Sequence, residues 1–284
     1  MSARPAALLL TVALALLAGA CGGDDEPAQS GGSSAADACA KDQLALKEPG
    51  TLTIGTDKPA FPPYFEDNDP TNGQGFESAV AYAVASELGF TRDEVRWVTV
   101  PFNSSYAPGP KQFDFDINQI SITPQRAQRV DFSDPYFTAP QAVVALKASD
   151  AARATDLAGL KDANLGVQVG TTSLEAVQSS IEPSSDPQVF NDSNDTVRAL
   201  KNGRVDAIVV DLPTAFFLTA AEIPEATIVG QFPAPGGDDW GLLLEKDSQL
   251  TPCVNRALEE LRSRGTLDDL QVRYMGGDAA PELN

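Results

Sequence analysis

Residues 113–137 read FDFDINQISITPQRAQRVDFSDPYF, and the fold is decided there. Phe113, Phe115 and Ile117 alternate with Asp114, Asp116 and Asn118, a period of two that predicts a strand. Thr123-Pro124-Gln125-Arg126 then predicts a helix start, with Thr123 as N-cap and proline at the first helical position. Arg126 falls in that first turn, where the helix dipole favours anions and opposes a cation. Such a placement is tolerated when an anion is meant to arrive, and a guanidinium offers a planar fork of donors matched to a carboxylate. A surface arginine on a short helix accounts for the local pattern equally well.

The chain around this stretch has 284 residues, enough for two lobes of ordinary size. Acidic residues outnumber basic ones 40 to 20, a net charge of −20. That argues against nucleic acid as a partner, because phosphate binding needs a basic surface. Histidine is absent, which removes the commonest general base and the commonest neutral metal ligand. No metal and no cofactor is expected.

Upstream, residues 51–56 predict a strand leading to Asp57, and a proline-rich loop follows from Lys58 to Tyr64. A helix is expected over about 76–88, with Val80, Val84 and Leu88 on one face and Gly89 at its end. Residues 95–100 form the next expected strand, and the segment 103–110 reads as turn. Downstream come strands at 141–147, 163–169, 187–190, 204–210, 226–230 and 242–244. Helices are expected after Gly170, over 194–202, after Asp211, over 248–264 and near 266–275. Thr172-x-x-Glu175 has the spacing of a capping box. This alternation predicts an α/β architecture of mainly parallel sheets covered by helices.

The run NQISITPQRAQRVDFSDPYF resembles the signature of extracellular amino-acid-binding proteins, the solute-binding subunits (family 3) of bacterial ABC importers. The stretch from Gly55-Thr56-Asp57 through Pro62-Pro63-Tyr64 to Gly75-Phe76 resembles the start of the same family. The resemblance implies a two-lobe periplasmic-binding-protein fold of type II with two hinge crossings, near 136–140 and 236–240. Lobe 1 would be 39–138 plus 239–278, lobe 2 would be 139–238, and 279–284 a tail. It implies a monomer that carries a free amino acid outside the cell to a membrane permease, without catalysis. The alternative on this scaffold is an enzyme like cyclohexadienyl dehydratase, which would need an extra carboxylate in the cleft. A receptor's ligand-sensing domain is a third reading.

By the same resemblance, Arg126 and the Ser121 hydroxyl would hold the ligand carboxylate, joined by backbone donors of Gly170, Thr171 and Thr172 from the other lobe. Asp211 would accept from the ammonium, although Asp before Leu-Pro is also a good helix N-cap. Asp57 would face the ligand side chain or merely cap its loop. Phe61 and Phe102 would sandwich its aliphatic part or simply pack in the core. Asn118 and Gln119 depart from the small residues usual there, and the segment 103–110 departs from the helix usual there. With Gln168, the polar residues Asp57 and Gln119 favour a polar or basic amino acid.

Residues 6–20 are a 15-residue run with one polar residue, Thr11, after a single charge at Arg4. This fits a signal peptide and is short for a membrane span. Its end, Leu17-Ala18-Gly19-Ala20-Cys21, resembles a lipoprotein processing site, with Ala18 where leucine is usual, implying a lipid on Cys21 and attachment to the outer face of the cytoplasmic membrane; ordinary signal-peptide cleavage near Ala-Gly-Ala with an incidental Cys21 is the alternative. The Gly/Ser/Asp-rich residues 22–38 are expected to be a flexible tether. If Cys21 carries lipid, Cys39 and Cys253 remain as one pair, and export favours a disulfide between them over two buried thiols.

Overall fold

The computed structural model describes residues 38–276 and 280–284. The expected signal peptide, Cys21 and the tether up to residue 37 lie outside the described residues.

Two five-stranded sheets organise the chain. The first contains β1 (Leu52–Thr56), β2 (Val95–Thr99), β3 (Phe115–Asp116), β4 (Asp131–Thr138) and β10 (Asp239–Leu244), in the order β2-β1-β3-β10-β4. The second contains β5 (Gln141–Leu146), β6 (Leu165–Gln168), β7 (Gln188–Phe190), β8 (Ala207–Asp211) and β9 (Ala226–Phe232), in the order β7-β6-β8-β5-β9. Around them lie α1 (Phe76–Glu87), α2 (Phe102–Ser105), α3 (Pro124–Ala127), α4 (Thr172–Ala176), α5 (Ser193–Lys201), α6 (Leu212–Phe217), α7 (Thr251–Ser263) and α8 (Thr266–Met275).

Each sheet is mixed. β1 runs parallel to β2 and β3, and β6 parallel to β7 and β8. The strands that cross between lobes are the antiparallel ones: β10 pairs antiparallel with β3 and β4, and β5 with β8 and β9. The chain leaves lobe 1 along β4 and returns along β10. A strand that enters a lobe from the hinge runs against those built inside it.

The apolar run of β5 shows why the second sheet needs helices on both faces. Val143 and Ala145 are buried in one hydrophobic cluster with Val209 and Val177, while Ala142 and Val144 are buried in another with Ile208 and Leu200. Successive residues of a strand point to opposite faces, so a strand covered twice is apolar at every position. In lobe 1, α1 presents Val80 and Val84 to the core, joined by Leu88 at its C-cap, as expected.

The aspartates of the 113–118 alternation do not face solvent. The regular strand is only β3, and Asp114 and Asp116 are 4% and 0% exposed. Asp114 accepts from the backbone N–H of Lys47 and Thr53, each at 2.7 Å, which compensates its burial. Neither carboxyl oxygen of Asp116 has a hydrogen-bond partner, and burial, with Glu77 and Asp57 nearby, pushes its pKa well above the usual carboxylate range.

Cys39 and Cys253 form a disulfide, with Cα atoms 5.4 Å apart, tying the start of the described chain to α7. The last residues behave differently from a loose tail. Leu283 is 3% exposed within the lobe-2 core, and Gln231 on β9 exchanges backbone hydrogen bonds with Pro281 and Leu283. Gly230 makes the room, since a Cβ there would run into Leu283 and Pro281. The C-terminus therefore returns from lobe 1, where Met275 packs, to an edge of lobe 2.

Candidate functional site

The cleft between the two sheets is lined from both sides. Lobe 1 contributes Asp57, Phe61, Phe102, Asn118, Gln119, Ser121 and Arg126, and lobe 2 contributes Gln168, Thr171, Thr172 and Asp211. Of the residues expected at a site, Gly170 alone is not in this lining, but its carbonyl meets Arg126 at the rim.

Arg126 is 8% exposed. Thr123 caps its helix as expected, its hydroxyl accepting from Arg126 N at 3.2 Å. The guanidinium donates to the Ser121 carbonyl at 2.8 Å and, across the cleft, to the Gly170 carbonyl at 3.0 Å. A guanidinium carries five N–H donors, so the fork keeps donors to spare. Burial pushes its pKa down from the usual arginine value, opposed by Tyr106, Asp211 and Glu175. Asn118 Nδ2 is buried without a partner, a further donor at the cleft wall.

Asp211 stands at the N-cap position of α6 but makes no capping hydrogen bond. One oxygen accepts instead from Gln141 Nε2 at 2.6 Å, and Gln141 Oε1 accepts from Ser173 Oγ at 2.5 Å. The carboxylate is thus aimed by Gln141 into the cleft. Desolvation raises its pKa to about 7, with the Gln141 hydrogen bond and Arg126 acting the other way. Placing a cation beside it would favour the ionised form.

The helix start after Gly170 is shifted by one residue from the expected capping box. Thr171, in extended conformation, is the N-cap and accepts from Leu174 N at 3.2 Å. Thr172 is left free to meet Ser121 across the cleft, the hydroxyls 3.2 Å apart. Asp57 acts as a loop cap while lining the cleft: its two oxygens accept from Lys58 N at 2.7 Å and Phe102 N at 3.0 Å. Gln168 Oε1 accepts from Ser193 Oγ at 2.6 Å, so that side chain is tied to the start of α5.

Gln119 is held in the left-handed region, φ +47°. The cause is Glu77, fully buried on α1. Glu77 accepts from Gln119 N at 2.7 Å, from Gln119 Nε2, and from the Tyr136 hydroxyl at 2.5 Å. Burial outweighs these hydrogen bonds and raises the Glu77 pKa to about 7. The Gln119 amide nitrogen, expected at a ligand, is consumed by Glu77.

Sequence reasoning missed Glu77, Gln141, Tyr64 and Tyr106. Tyr64 and Thr214 join their hydroxyls across the cleft at 2.8 Å. Asp192, Ser193 and Asn194 extend the polar lining at the start of α5. The proline-rich loop before Tyr64 was the one signal that could have drawn attention to it. Among the described residues, no group of three or more His, Cys, Asp or Glu side chains could hold a metal ion.

This arrangement places a buried cation from lobe 1 and a buried carboxyl from lobe 2 around one polar cleft, which suits a small zwitterion. Known proteins are similar. The sequence profile of the bacterial extracellular solute-binding proteins, family 3, matches residues 52–277. The L-cystine-binding protein TcyJ of Escherichia coli (strain K12) is 29% identical over 237 residues, covering 82% of this chain and 85% of its own. An ancestral arginine-binding protein bound to arginine superposes with a TM-score of 0.67 at 34% identity, covering 80% of this chain and 99% of its own. The ancestral amino acid-binding protein AncCDT-1, described as a precursor of cyclohexadienyl dehydratase, has a TM-score of 0.66 at 30% identity, covering 80% and 95%.

Proposed function

We propose that this chain, which belongs to the bacterial extracellular solute-binding proteins of family 3, takes up one free amino acid between its lobes outside the cell and delivers it to the permease of an ABC importer. The observation that carries the reading is the pairing of Arg126 and Asp211 in one cleft lined by both lobes. Arg126, Asn118 and the Ser121 hydroxyl would receive the α-carboxylate, and Asp211, held by Gln141, the ammonium. Backbone donors of Thr171 and Thr172 at the start of α4 would complete the carboxylate site.

A polar or basic side chain suits the rest of the cleft, where Asp57, Gln168, Asp192, Ser193 and Asn194 line the walls beside Phe61 and Phe102. Closure of the lobes over the ligand would present a composite surface to the permease. The protein acts as a monomer, tethered to the membrane by a lipid on Cys21, and performs no turnover. The relative described as a precursor of a dehydratase is itself described as an amino acid-binding protein.

Titration calorimetry with the twenty amino acids and cystine tests this. One-to-one binding of one or a few, with the compound recovered intact, is the expected result. Silence across the set, or chemical conversion of the bound compound, would overturn the reading.

A further inference from the structure

The segment 103–110 reads as turn in the sequence, and the structure corrects that at its start, where residues 102–105 close a helical turn around the Pro101 and Phe102 carbonyls. One turn of helix, α2, ends at Ser105 and delivers Tyr106 to the mouth of the cleft. We propose that Tyr106, backed by Asn103, is a positioning residue for binding: it covers Arg126 with its ring and fastens lobe 1 to the Gly170 carbonyl of lobe 2, holding the loaded cleft shut. This deepens the amino-acid-binding reading and rests on it.

Separate observations support the assignment. The Tyr106 ring centroid lies 4.8 Å from Arg126 Cζ, and Phe102, edge-on to Tyr106, lies 5.5 Å from it. A guanidinium against two aromatic rings is restrained in orientation. The Tyr106 hydroxyl donates to Asn103 Oδ1 at 2.6 Å and lies 3.2 Å from the Gly170 carbonyl oxygen, to which the same proton can turn. That carbonyl also accepts from Arg126 Nη2. One backbone oxygen of lobe 2 thus gathers both the residue that would grip the carboxylate and the residue that covers it.

Gly170 is matched to this approach. Its φ is +75°, and a Cβ there would meet Asn103 Oδ1 and the Tyr106 hydroxyl. The backbone strain of an L-residue at that φ is present whether the cleft is open or shut. The collision with Asn103 and Tyr106 exists only when it is shut. Substitution at 170 therefore acts on the open–closed balance through its collision with Asn103 and Tyr106.

A purely packing role for Tyr106 is distinguishable, because its ring also lies against the small cluster of Phe113, Ile120 and Leu243. Tyr106→Phe keeps that ring and its place over Arg126 and removes only the hydroxyl. Lobe separation is read by single-molecule energy transfer between dyes at exposed Glu259 and Gln178, one on each lobe, without any ligand. The release rate of L-arginine, or of whichever amino acid gives the largest heat, is read by stopped flow.

Loss of one hydrogen bond predicts that Tyr106→Phe lowers the closed-to-open ratio of the free protein about two- to tenfold and speeds release by a similar factor, with capture within about twofold. Gly170→Ala should shift both in the same direction, and the shift should persist in combination with Tyr106→Phe, because the new Cβ still meets Asn103 Oδ1. An unchanged distance distribution in Tyr106→Phe, or a slower capture with unchanged release, overturns the clasp. If no amino acid binds, the transport reading fails while the distance measurement still decides the clasp.

Discussion

Glu77 offers a quantitative test of how the floor of the cleft is held. The carboxyl is fully buried, and burial raises its pKa from 4.5 to about 7 despite hydrogen bonds from Tyr136 and Gln119. The folded protein therefore holds this proton more tightly than the unfolded chain. The resulting stability is complete below about pH 4.5 and is lost as pH rises through about 7. A gap of about 2.5 pH units at about 1.4 kcal/mol each is about 3 kcal/mol, of which roughly 2.5 kcal/mol disappears between pH 5 and pH 8. Asp116 and Asp211 are shifted in the same direction, so the wild-type curve alone does not isolate Glu77. Glu77→Gln does. Glutamine imitates the neutral acid, and the Gln119 amide can turn its oxygen toward the new donor, so at pH 5 the variant should lie within about 1.5 kcal/mol of wild type. At pH 8 the wild type alone bears the buried charge, and the variant should gain on it by roughly 2.5 kcal/mol. Urea unfolding of both proteins at pH 5, 6, 7 and 8 measures this. Parallel stability curves would refute the reasoning and mean that the Tyr136 and Gln119 donors keep Glu77 ionised at an ordinary pKa.

Other expected outcomes follow from the same geometry. Arg126→Lys keeps the charge but loses the planar fork, and calorimetry should show amino-acid affinity falling by about 2 kcal/mol, roughly thirtyfold. Asp211→Asn should weaken binding of the free amino acid at pH 8, where the wild-type carboxyl is ionised, more than at pH 6, where it is largely neutral; equal losses at both would count against an ammonium partner. Leu283→Ala should lower unfolding free energy by about 2–4 kcal/mol in urea while leaving ligand affinity unchanged, because the side chain belongs to the lobe-2 core. Replacing Cys39 and Cys253 together with serine should lower it by about 2–5 kcal/mol, since the bond closes a loop with a sequence separation of 214.

What the sequence could and could not show divides along physical lines. The Thr123-Pro124 helix start, the α1 face and the β5 and β8 strands are local patterns, and each appears in the structure near its expected bounds. The burial of Asp114 and Asp116 was not legible because alternation reports two faces and does not say whether the second is wet. Here the backbone of Lys47 and Thr53 covers Asp114, and Asp116 lies against Gly55. The Thr171 cap went unseen because two adjacent threonines offer the same hydroxyl, and only backbone conformation chooses between them. The cleft residues that came from the 113–137 stretch carried a contiguous signature. Glu77 and Gln141 did not, because each acts through a partner more than 40 positions away, Gln119 and Asp211 respectively. A pairing at that range leaves no periodic trace in one sequence.

The cross-cleft contacts also bear on why a ligand can govern the lobes at all. Tyr64 with Thr214, Ser121 with Thr172, and Arg126 with Gly170 are individual hydrogen bonds, each worth about 1 kcal/mol net, and they exchange with water when the cleft opens. Among the described residues no extended apolar core spans the lobes: the large hydrophobic clusters lie within one lobe or the other. By the proposed reading, a zwitterion bridging Arg126 on one side and Asp211 on the other would interact with both lobes only when they are together, and that differential contact would shift the population. Burial of both groups would make the shift larger, since their hydrogen-bond partners in the closed cleft are neutral, backbone carbonyls for Arg126 and the Gln141 amide for Asp211, and a zwitterion would supply the opposite charges.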